Sequence, residues 1–142
     1  MKKNLINEDL AIKSVHDFLS KFQKKPIAID KVKEEYPDTV EYVKKGFIVF
    51  DESQKPTLNL QEPLKNDKGD VTLSKIEFKT RIKPTAKADL ADGLDLQKQS
   101  AKFSLRLIAY IIAQPIVLLD RFMMEDYDAI QEIAAVFMAG GR

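Results

Sequence analysis

Apolar residues return at helical spacing from Glu8 to Lys25. Ala11, Val15, Phe18, Leu19 and Phe22 share one face, and polar residues fill the other. The pattern predicts an amphipathic helix with Asn7 at its N-cap and Pro26 at its stop. In the next stretch, "IDKVKEEYPDTVEYVKKG", Pro37 divides the helical pattern, because the residue before a proline resists the α region. Two short helices follow, one marked by Val32 and Tyr36, the other by Val40, Tyr42 and Val43. Gly46 stands where a C′ glycine would end the second.

The period then changes from helical to alternating. Phe47 to Phe50 reads as a short β run and "DESQKP" as a turn. "TLNL" places Leu58 and Leu60 on one face, and Asn66, Asp67 and Gly69 form a hairpin tip. Residues 75–83 predict a half-buried strand, with Ile76, Phe78, Thr80 and Ile82 inward and Lys75, Glu77, Lys79, Arg81 and Lys83 outward. Pro84 ends it. A polar connector follows that can start a helix, with Thr85 as its expected N-cap; Gly93 would weaken a continuous helix by about 1 kcal/mol relative to alanine. Residues 94–114 predict a strong helix. From Leu105 to Ala113 it is apolar almost all round except for Arg106, so it needs cover on every side. Pro115 breaks it, "IVLLDRF" makes a turn or short helix, and Asp126 is the expected N-cap of a last helix running to Ala139. Gly140 and Gly141 would terminate that helix.

These elements describe an α+β fold. A small N-terminal helical module over residues 1–55, with the outline of a winged helix, precedes a short antiparallel hairpin or sheet packed with two to three C-terminal helices over residues 56–142. A chain of 142 residues can bury roughly 68–70% of its extended surface. Its 23 basic and 22 acidic residues are mixed along the chain, so no nucleic-acid or membrane-surface footprint emerges. In a winged helix the recognition helix would be "DTVEYVKKG", and Asp38 and Glu41 near its leading end would repel phosphates. No nucleic-acid partner is expected.

With no cysteine and a single histidine, His16, thiolate and zinc chemistry have no ligand set. No phosphate loop or nucleophile elbow is present. Asp89, Asp92 and Asp95 recur every third residue, which suits a solvated acidic turn better than a cation site. No catalytic residue, metal or cofactor is expected. "MKKNLINEDL" lacks an apolar signal core, and Leu105–Leu119 is interrupted and short of the ~20 residues of a spanning helix. The expectation is a soluble, cytoplasmic, non-enzymatic protein with no membrane partner.

Residues from about 56 to 141 resemble the small tail assembly chaperones of Mu-like contractile-tailed phages. "TLNLQEP", "DKGDV" and "IEFKTRIKPTAKADL" supply that family's hairpin and its strand exit, with Arg81, Pro84, Thr85, Ala86, Asp89 and Leu90. "LRLIAYIIAQP" supplies the helix and its break. "MEDYDAIQEIAAVFMAGG" supplies the closing helix, with Asp126, Ile130, Ile133, Val136 and Phe137. Arg81 stands farther from Pro84 than the family's basic residue does from its proline, and residues 1–55 have no counterpart in the short members. The resemblance implies a non-enzymatic holdase in the bacterial host cytoplasm. Its client would be the tape measure protein, the long, helical, apolar ruler of the tail.

A holdase must present apolar surface. Tyr110, Ile112, Val136 and Met138 lie off the best core stripe of the last two helices, and Met123, Met124 and Met138 can repack around different shapes. These six are the expected partner-binding residues. Burying four such side chains is worth gross roughly 6–12 kcal/mol, against association costs of about 4–15 kcal/mol. Each contact would be weak and releasable. A homo-oligomer would cover the same surface equally well. A DNA-binding or adaptor winged-helix protein of a mobile element and a structural tail component are the alternative readings.

Overall fold

A computed structural model describes residues 6–139; the expected Gly140–Gly141 stop lies outside them. The first helix, α1, spans Glu8–Phe22, and the Asn7 carboxamide caps it by accepting the Leu10 N–H at 2.8 Å. It ends short of Lys25: Gln23 is already extended, and the chain bends at Lys24 and Lys25 before Pro26. A short 3-10 helix at Ile29–Lys31 leads into α2 (Val32–Glu35) and α3 (Pro37–Lys44). Pro37 is the first residue of α3, where a missing N–H costs nothing. The end of α3 is closed by Gly46 at φ 80°, with the Phe47 N–H on the Tyr42 carbonyl at 2.9 Å and the Gly46 N–H on the Val43 carbonyl at 3.1 Å.

Three strands, β1 (Ile48–Phe50), β2 (Pro56–Lys65) and β3 (Val71–Glu77), form an antiparallel sheet in sequence order. Side chains shape both hairpin turns. Asp51 accepts the N–H groups of Ser53 and Lys55, and Asn66 accepts those of Lys68 and Asp70. The strand predicted over residues 75–83 is displaced toward the N-terminus. Its inward alternation persists, with Ile76 and Phe78 buried and Thr80 and Ile82 half-buried. However, β2 begins at Pro56, and the ladder closes at the Thr57–Glu77 pair. Beyond it the Lys79 N–H turns to the Ile111 carbonyl at 2.8 Å.

The connector does start a helix, but earlier than expected: α4 runs Pro84–Ala91, with Lys83 and not Thr85 at its N-cap and Pro84 in its first turn. The next helix, α5, spans only Ser100–Ile111. Before it, Asp95 accepts the Gln97 N–H and Gln99 accepts the Asp95 N–H, local bonds that compete with helix formation. After Pro115 a 3-10 helix, Ile116–Arg121, leads to α6, Met124–Met138.

The division expected at residue 55 falls inside a hairpin. β1, from the first part, pairs with β2, from the second, and α6 packs on α1 and α3 as well as on β2 and α5. One hydrophobic core runs from Ala11 to Phe137. At its centre the Phe137 ring meets Phe18 at 5.9 Å and Phe22 at 5.2 Å, both edge-on. Among the described residues no helix is long and apolar enough to cross a membrane.

Candidate partner-binding site

The six residues expected to grip a partner do not form one surface. Ile112 and Val136 are each 2% exposed, so they belong to the core. Tyr110 and Met138 are half-buried and packed against it, with the Lys79 ammonium 3.9 Å above the Tyr110 ring. Met123 is half-buried, and only Met124 stands well out, at 69% exposure. The last helices have surplus apolar area only if the sheet is their sole cover. Here α1 and α3 cover α6 from the N-terminal side, and that removes the surplus from Val136 and its neighbours.

Exposed apolar area survives elsewhere, around the connection from α5 to α6. The 3-10 helix that restarts the chain after Pro115 buries Leu119 but leaves Ile116 exposed and Val117 70% exposed. A cleft of about 260 Å³ opens beside it, lined by Leu105 of α5, by Leu119, Asp120 and Phe122, and by Met124 and Tyr127 of α6. Leu119 and Phe122 are buried, whereas Leu105 and Met124 are exposed. Burial, then the negative charges of Asp128 and Asp120, push the Tyr127 phenol up. The volume is below the ~300–1,000 Å³ of typical small-molecule pockets and suits one or two inserted side chains. The apolar composition of "IVLLDRF" is visible in the sequence; which of its residues face outward is not.

Asp126 is not the N-cap of α6. Met123 holds that position, and Asp126 lies in the first turn with 0% exposure. Its carboxylate accepts the Tyr42 hydroxyl at 2.5 Å, the Gln61 N–H at 2.9 Å and the Glu62 N–H at 3.1 Å. Register shifts interrupt the β2–β3 ladder between Asn59 and Leu64, and it is within this interval that Gln61 and Glu62 turn their N–H groups to Asp126. Burial and the bond to Asp126 push the Tyr42 phenol well above its ordinary range. This buried clamp joins α3, β2 and α6, and sequence patterning gave no sign of it.

A second carboxylate from α6 works the same way. Glu132 accepts the Asp38 N–H at 3.1 Å, the Thr39 N–H at 2.9 Å and the Thr39 hydroxyl at 2.8 Å, capping α3 from outside. The leading end of the would-be recognition helix therefore faces α6, and after Pro37 every residue of α3 is buried or half-buried. His16 is half-buried and donates from Nε2 to the Ile27 carbonyl at 2.9 Å. Asp89, Asp92 and Asp95 are all exposed, and among the described residues no group of His, Asp and Glu stands close enough together to hold a metal.

No protein-family model, curated protein sequence or solved structure matches the chain.

Proposed function

We propose that this chain is a non-enzymatic protein-binding module, acting in the host cytoplasm as a phage or prophage tail assembly chaperone that holds apolar segments of the tape measure protein. The observation that carries the reading is the exposed apolar cleft between α5 and α6, with Met124 at its edge. A holdase needs apolar surface that its own core leaves uncovered, and an adaptable methionine accepts anchors of different shape. The hairpin β2–β3, the proline-led α4 and the pair α5–α6 also follow the order that the resemblance calls for. A cleft this small gives weak individual contacts, which suits a client that must later be released to the polymerising tube.

The nucleic-acid alternative is the weaker one. Base reading needs a free leading end on the recognition helix, and Glu132 occupies that of α3.

Co-expression with a long, helical, apolar protein of the tape measure type tests the proposal. The client's soluble fraction should rise and the two should co-purify. Met124→Asp combined with Val117→Asp should abolish co-purification without unfolding the chain, since both side chains already face solvent. An unchanged client, together with this chain in finished particles, would make it a structural tail component instead.

A further inference from the structure

The cleft has an acidic border with no counter-charge of its own. Asp120 lines it, and Asp128 lies one helical turn beyond Met124, which also lines it. Glu125, by contrast, accepts from the Gln61 side-chain amide at 3.3 Å and does not line the cleft. Among the described residues neither Asp120 nor Asp128 forms an ion pair. The two arginines nearest in sequence are engaged elsewhere. Arg106 donates to the carbonyls of Leu90 and Asp92 at 3.0 and 3.1 Å, and Arg121 donates to the carbonyl of Lys65 at 2.6 Å. A chain that is nearly neutral overall thus places Asp120 at the edge of its exposed apolar cleft, with Asp128 one turn beyond Met124, and no ion pair neutralises either.

We infer that the cleft selects partner segments in which a large apolar anchor is flanked, within about one helical turn, by lysine or arginine. The anchor fills the space between Leu105, Phe122 and Met124, and the cation meets Asp120 and Asp128. Apolar burial supplies the adhesion; the rim chooses among apolar segments and sets their register. Segments flanked by acids are rejected because their carboxylates would meet Asp120 and Asp128 at the mouth of the cleft. This inference rests on the partner-binding reading and adds the chemistry of the segment bound.

Two labelled amphipathic helical peptides test it, sharing one leucine- and phenylalanine-rich face and differing only in lysine or glutamate flanks. Fluorescence anisotropy against the full chain should show the lysine peptide binding about five- to tenfold more tightly. High salt should shrink the difference. Asp120→Asn with Asp128→Asn should reduce the preference to near unity, weakening the lysine peptide and strengthening the glutamate peptide, because attraction and repulsion are removed together. Met124→Ser with Val117→Ser should weaken both peptides, with circular dichroism reporting an unchanged fold.

Equal binding of the two peptides would overturn the charge selection and leave the chaperone reading intact. Lysine-peptide binding that survives loss of Met124 and Val117 would place the contact elsewhere and overturn the inference. If neither peptide bound while the co-expressed client still co-purified, the cleft would not be the grip, although the chain would still hold its client. Failure of co-purification alone would count against the chaperone reading and not against the cleft's preference.

Discussion

Ala113 holds a left-handed conformation, φ 56°, at the end of α5. The Gln114 N–H reaches the Ala109 carbonyl at 3.0 Å and the Ala113 N–H reaches Tyr110 at 3.1 Å, the same closure that Gly46 gives α3. An alanine there carries steric strain of about 1–2 kcal/mol that glycine lacks, offset in part by glycine's greater freedom when unfolded. Ala113→Gly should therefore stabilise the protein by about 0.5–1 kcal/mol, visible as a higher midpoint in urea. The opposite holds at Asp126. Truncation to alanine would leave the Tyr42 hydroxyl and two strand N–H groups without an acceptor, at about 1–3 kcal/mol each. Asp126→Ala should cost roughly 3–5 kcal/mol and Tyr42→Phe about 1–2 kcal/mol by the same measurement. A loss below about 1 kcal/mol for Asp126→Ala would mean that the clamp is not structural.

Between elements, the junction of α3 and α6 couples folding to pH. Burial, with the Asp38 carboxyl beside it, raises Glu132 from an ordinary 4.5 to about 7, against the Thr39 and Asp38 donors that pull it down. The Glu132 charge also adds a little to the upward push on the Tyr36 phenol, after burial and Glu35. Between those two values the folded chain binds the proton more tightly than the unfolded chain. The stability this site contributes is therefore complete below about 4.5 and is lost as pH rises through 7. Glu132→Gln, a mimic of the neutral acid, removes the dependence. The difference in melting temperature, wild type minus variant, should fall between pH 5 and pH 8; parallel curves would show that Glu132 titrates normally. This junction also marks where sequence reading stops. Asn7, Pro37, Gly46, Asn66 and Gly69 act on their immediate neighbours, so their caps and turns were legible. Asp126 and Glu132 look like ordinary helix acids, because the Tyr42, Gln61 and Thr39 groups that give them meaning lie 60 or more positions away. For the same reason the outward residues of the cleft, Val117 and Met124, could not be told from the inward Leu119 and Phe122.

Across the whole molecule, the main question is whether residues 56–142 can stand alone, as the resemblance to short chaperones implies. The packing says they cannot. Without residues 1–55 the sheet loses β1, α6 loses α1 and α3, and Asp126 loses Tyr42. From α1 alone, Val15, Phe18, Leu19 and Phe22 are buried in the common core. At about 1.5–3 kcal/mol per side chain their contribution is roughly 6–12 kcal/mol, which matches the entire stability of a typical domain. The isolated fragment 56–142 should therefore bind a hydrophobic dye, show no cooperative melting and aggregate. Cutting the intact chain at an engineered protease site in the Asp51–Lys55 turn should have a different outcome, because that turn is exposed and its cleavage removes no core contact. The two pieces should stay together on gel filtration and separate only in denaturant. If the fragment instead melted cooperatively on its own, the N-terminal helices would be an accessory to a self-sufficient domain. The apolar flanks of α6, Val136 among them, would then become available to a client whenever those helices moved away.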